Sequence, residues 1–590
     1  MFSPTVMKAV WKQYVRDGLR KQEILDLHDY LDFHWSQNAI FPSLSAQIAD
    51  GRYAASRSLS VRIEKKLGVT RTLIIPCAED AVVLQCIVEA LHPAARKAQP
   101  SRNSFFSRSH GFQAPELRFL KDYIWFKRWA EFAKLRMGIV TTHKFICVTD
   151  IANYFDNIDY RQLRNTLTTL DAFDEVLFDI LFHVLDTISW RPDYLPSPGR
   201  SLPQVNFDAP RLLAHIFLFE IDAFLKEKTS DHFVRWVDDI TIAARSRTQG
   251  KQLLRDLDEL LMTRGLRLNS GKTVILSAKE AHDYFWTAEN SVLDQTTDAL
   301  NKAAGNAALI AKLSGQLRVR FDKFLKKKPL GHWDKVYKRF LTLFTRLKDP
   351  HALLLAKQAL IDSPALRESY WRYLRELGAS NKGFQAISSY VRSEHALDDA
   401  SLFQVAYTLT SWEVPPASPQ VRRIRTLAKS LGDNKWVDKS PFYFVVALWL
   451  LGKYGNRRQT VDLIRSHQLL WQSSSFLSRQ VASILPKLRK GRDGAVVRKL
   501  INATGHSAAT SVVISLDKIA EGGPSIPGDL ALYILNGRQK SKYSLQRFLI
   551  CLHTLTSTAY DSASRNNLRT QLYRYLQDPL YLRVVRAIHL

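Results

Sequence analysis

Three aspartates carry the chemistry of which this sequence is capable. Asp238 and Asp239 stand side by side in FVRWVDDITIAA (233–244), between two stretches that otherwise look like buried strands, and Asp150 lies in VTDIANYFDNID (148–159). A strand-like run leads up to Asp150 and a helix-like run follows it, so this carboxylate falls at a strand's C-terminal end, where a turn between two other strands could bring Asp238 beside it. Clustered carboxylates repel, and three of them stay ionised together only when cations sit among them. Oxygen-only ligands suit Mg2+, with Mn2+ able to take its place, and Mg2+ is usually completed by water and substrate phosphates. Two such ions about 3.5–4 Å apart would activate an attacking 3′-hydroxyl and stabilise a departing pyrophosphate. That chemistry is nucleotidyl transfer. A DD pair alone says much less, because it is most often a plain hairpin turn.

The elements that must position these residues are partly legible. RTLIIP (71–76), KFICVTD (144–150), HFVRWV (232–237) and ITIAA (240–244) are short β-branched or aromatic runs, while 81–91 and 251–264 have helical apolar spacing. Beyond about residue 285 the strand signals almost disappear. Helical stretches replace them, separated by breakers such as Pro350, Pro364, Pro441, Pro486 and Pro579. A stack of helix pairs is one reading of that half and an irregular bundle the other, since no fixed repeat length is present.

At 590 residues the chain exceeds one core. Its 84 Lys and Arg against 56 Asp and Glu leave a net charge of +28, a field that attracts polyanions, nucleic acid above all. The junction between the halves is especially basic. Lys323, Lys326, Lys327, Lys328, Lys335, Lys338 and Arg339 lie there with Phe321, Phe324, Trp333, Tyr337 and Phe340 interleaved. The cations suit phosphates, and the rings either pack a helix or stack on bases. The four cysteines show no paired spacing, which argues against zinc or a disulfide framework and fits a cytoplasmic location. The N-terminal residues are interrupted by charge before a secretory apolar region can form. The run Phe442 to Leu451 is about half of the ~20 residues that span a bilayer, so it is expected as a buried helix, with no membrane partner.

The order of the motifs adds more. DIANYFDNID (150–159), SLPQVNFDAP (201–210), RWVDD (235–239) and RGLRLNSGKT (264–273), preceded by RTLIIPCAEDAVVLQCIVEAL (71–91), resemble the successive motifs of reverse transcriptases. IANYFDNI, the helix IWFKRWAEFAK (124–134) before it, and a helical half in place of a recognisable thumb resemble the abortive-infection and other defence-associated bacterial reverse transcriptases most. The resemblance implies an α+β polymerase palm and fingers, followed by an all-α helical domain for which a HEAT-like stack is one reading. The expected divisions are an N-terminal helical segment at 1–60, fingers and palm at 61–285 and helical repeats at 286–590.

The resemblance also implies roles. Asp150 and Asp238 would hold two Mg2+ ions, with Asp239 in support, and Lys272 would sit near the pyrophosphate as a charge or proton donor. Phe155 falls where such enzymes place an aromatic gate against the ribose 2′-hydroxyl, Gln204 near the template or incoming base, and Arg71 on the triphosphate. Lys326, Lys327 and Lys328 would contact nucleic acid. The implied partners are dNTPs, a DNA product, a non-coding or template RNA and further copies of the chain. DNA synthesis of this kind can be untemplated, RNA-directed or primed by a protein hydroxyl, for which Tyr53 in ADGRYAAS (49–56) is a candidate, its small neighbours leaving the hydroxyl accessible.

Two departures stand out. Val205 replaces the glycine that usually follows the motif glutamine, adding a Cβ where backbone approaches nucleotide or template. Trp236 replaces the usual Tyr or Phe of the box and is bulky enough to press on a primer end. The rival readings are a conventional RNA-templated enzyme of the retron or intron type, and an inactive palm kept as an RNA-binding scaffold.

Overall fold

FICVTD (145–150) feeds two cores at once. Cys147 joins one apolar cluster while Ile146 and Val148 join another, so the strand is covered on both faces. The computed structural model describes residues 1–589 except 109–124, 193, 196, 198, 304, 490–491 and 540–541. In it, strands β1 (Leu59–Lys66) and β2 (Val69–Ile75) form a separate antiparallel hairpin. Strands β3 (Ser104–Phe105), β4 (Phe145–Asp150), β5 (Phe233–Trp236), β6 (Asp239–Ala244) and β7 (Val274–Ser277) form a mixed sheet in the order β3-β5-β6-β4-β7.

Period-two alternation continues across the sheet: Phe233, Ile240 and Ile242 face the first core, Val234 and Ala243 the second. The helix Arg247–Thr263 lies on the first face, so close that a Cβ on Gly250 would stand 2.9 Å from Cys147 Sγ. The helix Trp125–Thr142 covers the second face with Phe132, Ile139 and Val140. This is the tryptophan-containing helix expected from residue 124; Ile124 itself lies outside the described residues.

After β7 every regular element among the described residues is helical. Helices pack on one another across intervening elements: Trp333–Leu347 on Pro364–Leu377, that helix on Asp399–Thr410, and that one on Phe442–Tyr454. The region is thus a set of helices packed around one continuous core. Phe442–Tyr454 is buried along its whole length, as a helix apolar all round must be. Among the described residues no helix is long and apolar enough to cross a membrane.

The helical region also grips the N-terminal elements. Val61 and Ile75 of the hairpin, and Ile24, Leu27 and Leu31 before it, belong to the same core as the C-terminal helices. Arg367 pairs with Glu64 at 2.6 Å and Asp398 at 2.9 Å, and Arg479 pairs with Asp26 at 2.9 Å and Asp32 at 2.7 Å.

Candidate active site

Strand register brings the three carboxylates together. Asp150 ends β4 directly opposite Asp239, the first residue of β6, and the Ile151 amide donates to the Asp238 carbonyl at 3.3 Å. Trp236 pairs with Asp239, so Val237 and Asp238 alone make the turn between β5 and β6. Val237 has φ +53°, a conformation that strains a β-branched residue. The surroundings impose it. The Val237 amide donates to the Phe105 carbonyl at 3.0 Å and its own carbonyl accepts from Arg235 Nη1 at 2.7 Å. Arg235 is fully buried and held by Asp222, Nε to Oδ1 at 2.7 Å and Nη2 to Oδ2 at 2.5 Å.

Cations do sit among the carboxylates, as ammonium and guanidinium groups. Lys272 Nζ donates to Asp150 Oδ2, and Lys335 Nζ stands 3.7 Å from Asp239 Oδ2. Arg136, buried against Phe132 and Phe285, faces Asp239 as well; burial lowers its guanidinium and Asp239 opposes that shift. Burial also pushes the Asp238 carboxyl up to about 6, and the charges of Asp239 and Asp150 add to the shift. Burial alone would lower Lys272, but its hydrogen bond to Asp150 and the attraction of all three carboxylates hold it above the ordinary lysine range.

The donor set fits a divalent cation in part. Asp150 Oδ1 is buried without a hydrogen-bond partner, an acceptor that a cation would satisfy. Among the described residues no group of three or more His, Cys, Asp or Glu side chains is arranged to hold a metal ion unaided. Water would have to complete the shell, joined by substrate phosphates when they are bound, as is usual for Mg2+.

The β1–β2 hairpin and the 201–204 segment border a cavity of about 350 Å³ lined by Arg71, Gln204, Asp156, Arg191 and Arg200. The Gln204 carbonyl accepts from the Ile74 amide at 3.0 Å, which fixes one wall to the other. Phe155 opens the turn Phe155–Asn157 after β4, its carbonyl accepting from the Leu202 amide at 2.8 Å and its half-buried ring edge-on to Tyr154.

Two other expectations need correction, that Trp236 presses on a primer end and that the Tyr53 hydroxyl is accessible. Phe321, Phe324, Tyr337 and Phe340 are core residues, and Trp333 stacks on Phe324 at 5.4 Å, so these rings pack helices and are unavailable to bases. Lys326, Lys327 and Lys328 are exposed at the end of the helix Ala307–Leu325, and Lys327 pairs with Glu289 over the Trp286 ring. Trp236 packs edge-on against Trp129 at 5.0 Å, which anchors the turn strand to the helix Trp125–Thr142 and turns the indole toward that helix. The Tyr53 hydroxyl is not free: it donates to Asp80 Oδ1 at 2.7 Å in a half-buried setting that raises its pKa. Val205 is buried, its side chain part of the core under the sheet.

Residues 63–297 match the family model described as reverse transcriptase (RNA-dependent DNA polymerase). Among solved structures, telomerase from Candida albicans in complex with a fragment of telomeric RNA is similar at 11% identity and a TM-score of 0.29, covering 63% of this chain and 70% of that one. Apo telomerase from Candida tropicalis is similar at 12% identity and a TM-score of 0.29, covering 71% of this chain and 74% of that one. No curated protein matches the chain. The domain at 63–297 is thus of the reverse transcriptase type, an RNA-directed DNA polymerase and so a nucleotidyltransferase. Asp150, Asp238, Asp239, Lys272, Phe155, Gln204 and Arg71 fall inside it, whereas Lys326–Lys328 and Lys335 fall beyond it.

Proposed function

We propose that this chain is a DNA polymerase of anti-phage, abortive-infection defence, which adds dNTPs to a growing strand by two-metal nucleotidyl transfer. The observation that carries the chemistry is the in-register meeting of Asp150 and Asp239, with Asp238 in the turn beside them and a buried Asp150 oxygen left without a partner. When bound, divalent cations supply charge that activates a 3′-hydroxyl and steadies departing pyrophosphate; Asp150 and Asp238 would hold them, with Asp239 in support. Lys272, kept protonated by the carboxylates, is placed to donate a proton to the leaving group. Arg71 grips the triphosphate in the cavity it shares with Gln204, which lies near the template or incoming base. Lys326, Lys327 and Lys328 contact the nucleic-acid backbone.

The chain divides in this reading into a helical segment at 1–60, fingers and palm at 61–285 and stacked helices at 286–590. The defence assignment is supported by the first motif, the helix before it and the helical region that stands where a thumb would be. Synthesis is primed from a protein hydroxyl or directed by a partner RNA, in an oligomer in the cytoplasm.

Incubation of the purified protein with Mg2+ and each labelled deoxynucleotide, without template, tests both chemistry and priming. Label released only by protease is the expected result. Label that requires added RNA and primer would replace this reading with a conventional templated enzyme, and no label under any condition would replace it with a scaffold. Phe155→Ala should increase ribonucleotide use relative to deoxynucleotide use about tenfold or more, the scale on which a pocket rejects one small group. Unchanged selectivity would remove the gate assignment.

A further inference from the structure

Lys335 belongs to the helix Trp333–Leu347, outside the matched domain, yet its ammonium stands 3.7 Å from Asp239 Oδ2. Its approach is built from several sides. The ammonium donates to His332 Nε2 at 3.1 Å and lies 5.7 Å over the Trp129 ring, which in turn meets Trp236 of the turn strand. The segment before this helix is seated on the end of the matched domain: the His332 amide donates to the Tyr284 carbonyl at 2.9 Å, and Trp286 Nε1 donates to the Leu330 carbonyl at 2.7 Å. Gly331, at φ +50°, lies so near Tyr284 that a Cβ would stand 2.7 Å from the ring's Cδ2. Only glycine fits that seat, so the position of Lys335 follows from how the helical region docks.

We infer that Lys335 is the helical region's contribution to the reaction centre: a positioning residue that balances Asp239 while no divalent cation is bound and must give way when one is, so that metal loading is coupled to the docking of Trp333–Leu347. This rests on the reading of Asp150 and Asp238 as the metal-holding carboxylates with Asp239 in support. Lys272 pairs with Asp150 from within the domain, so the two lysines reach the carboxylates from two different regions of the chain. A cation approaching Asp239 competes with Lys335 for the same oxygen, at a separation where unit charges interact strongly even in a partly solvated setting.

The test is a Mn2+ titration of the full chain, followed by electron paramagnetic resonance at low salt, without nucleotide or nucleic acid. Lys335→Met, which keeps the stem over Trp129 and drops the charge, and Lys335→Gln, a second charge-free variant, should both bind Mn2+ about fivefold more tightly than wild type, since a competing cation is gone. Lys335→Arg should stay within about twofold of wild type because the charge is retained. Mn2+ binding that is lost in Asp238→Asn but unchanged in both charge-free variants would overturn the role of Lys335 alone. Binding that survives Asp238→Asn would overturn the reading of the carboxylates, and the inference with it.

Discussion

Asp238→Asn should abolish nucleotide incorporation and at the same time make the metal-free protein more stable at pH 7. The first effect follows from removing one of the carboxylates proposed to hold the cations. Charge stabilisation of a phosphoryl transition state by a metal is worth several kcal/mol, so the expected loss in rate is about a thousandfold or more. The second follows from the carboxyl's displacement from 3.8 to about 6 by burial, with Asp239 and Asp150 adding to it. Between those values the folded protein holds a proton that the unfolded chain has released, so stability falls as pH rises through this window. Above about 6 the folded state carries the whole penalty, and below 3.8 none. Asparagine keeps the shape without the charge. It should recover about 1–3 kcal/mol at pH 7, and the melting point should rise. Mn2+ should then raise the melting point of wild type but not of the variant. Melting curves at pH 7.5 and pH 4, with and without Mn2+, read all of this. A variant less stable than wild type at pH 7.5 would show that Asp238 holds the turn together through its hydrogen bonds and is not a strained charge.

The strands that carry the carboxylates were legible because they are buried on both faces. KFICVTD is a largely apolar run that stops at Asp150 and ITIAA one that starts after Asp239, and β4 and β6 occupy Phe145–Asp150 and Asp239–Ala244. β1, whose outer end runs through Arg62, Glu64, Lys65 and Lys66, and β7, which is only half-buried, lack such runs and leave no comparable signal. In the basic junction the sequence pattern is an amphipathic helix, and it cannot distinguish rings that pack from rings that stack. The packing of Phe321, Phe324 and Phe340 into one core decides that question. The approach of Lys335 to Asp239 was not legible either, because it depends on Gly331 fitting against Tyr284, a contact between segments far apart in the chain. Arg235 is the clearest case. Between Val234 and Trp236 it looks like an exposed strand residue, yet it is wholly buried, and only its partner in the helix Phe219–Thr229 makes that tolerable.

Arg235→Leu therefore tests what aims the carboxylates. The substitution strands Asp222 as an unpaired buried charge, and breaking a buried pair from one side costs about 3–5 kcal/mol, the largest stability loss expected of any single change near this site. It also removes the donor to the Val237 carbonyl, the contact that helps hold that residue at φ +53°. The two effects separate in the double variant Arg235→Leu, Asp222→Leu. Replacing both partners of a buried ion pair with apolar groups is often neutral or stabilising, so the double variant should regain most of the lost melting temperature. It cannot regain the hydrogen bond to Val237. With that restraint gone the turn is free to relax toward negative φ, which moves Asp238 relative to Asp150, and misplacement of reacting groups by about 1 Å costs on the order of a hundredfold in rate. The expected pattern is a single variant that is unstable and inactive, and a double variant that is stable and slow. If the double variant is stable and fully active, the Phe105 contact and the strand register are enough to set the turn, and the buried pair serves the fold alone. If it is stable and slow, the strain at Val237 is held in place by Arg235, and the pair is there to aim the carboxylates.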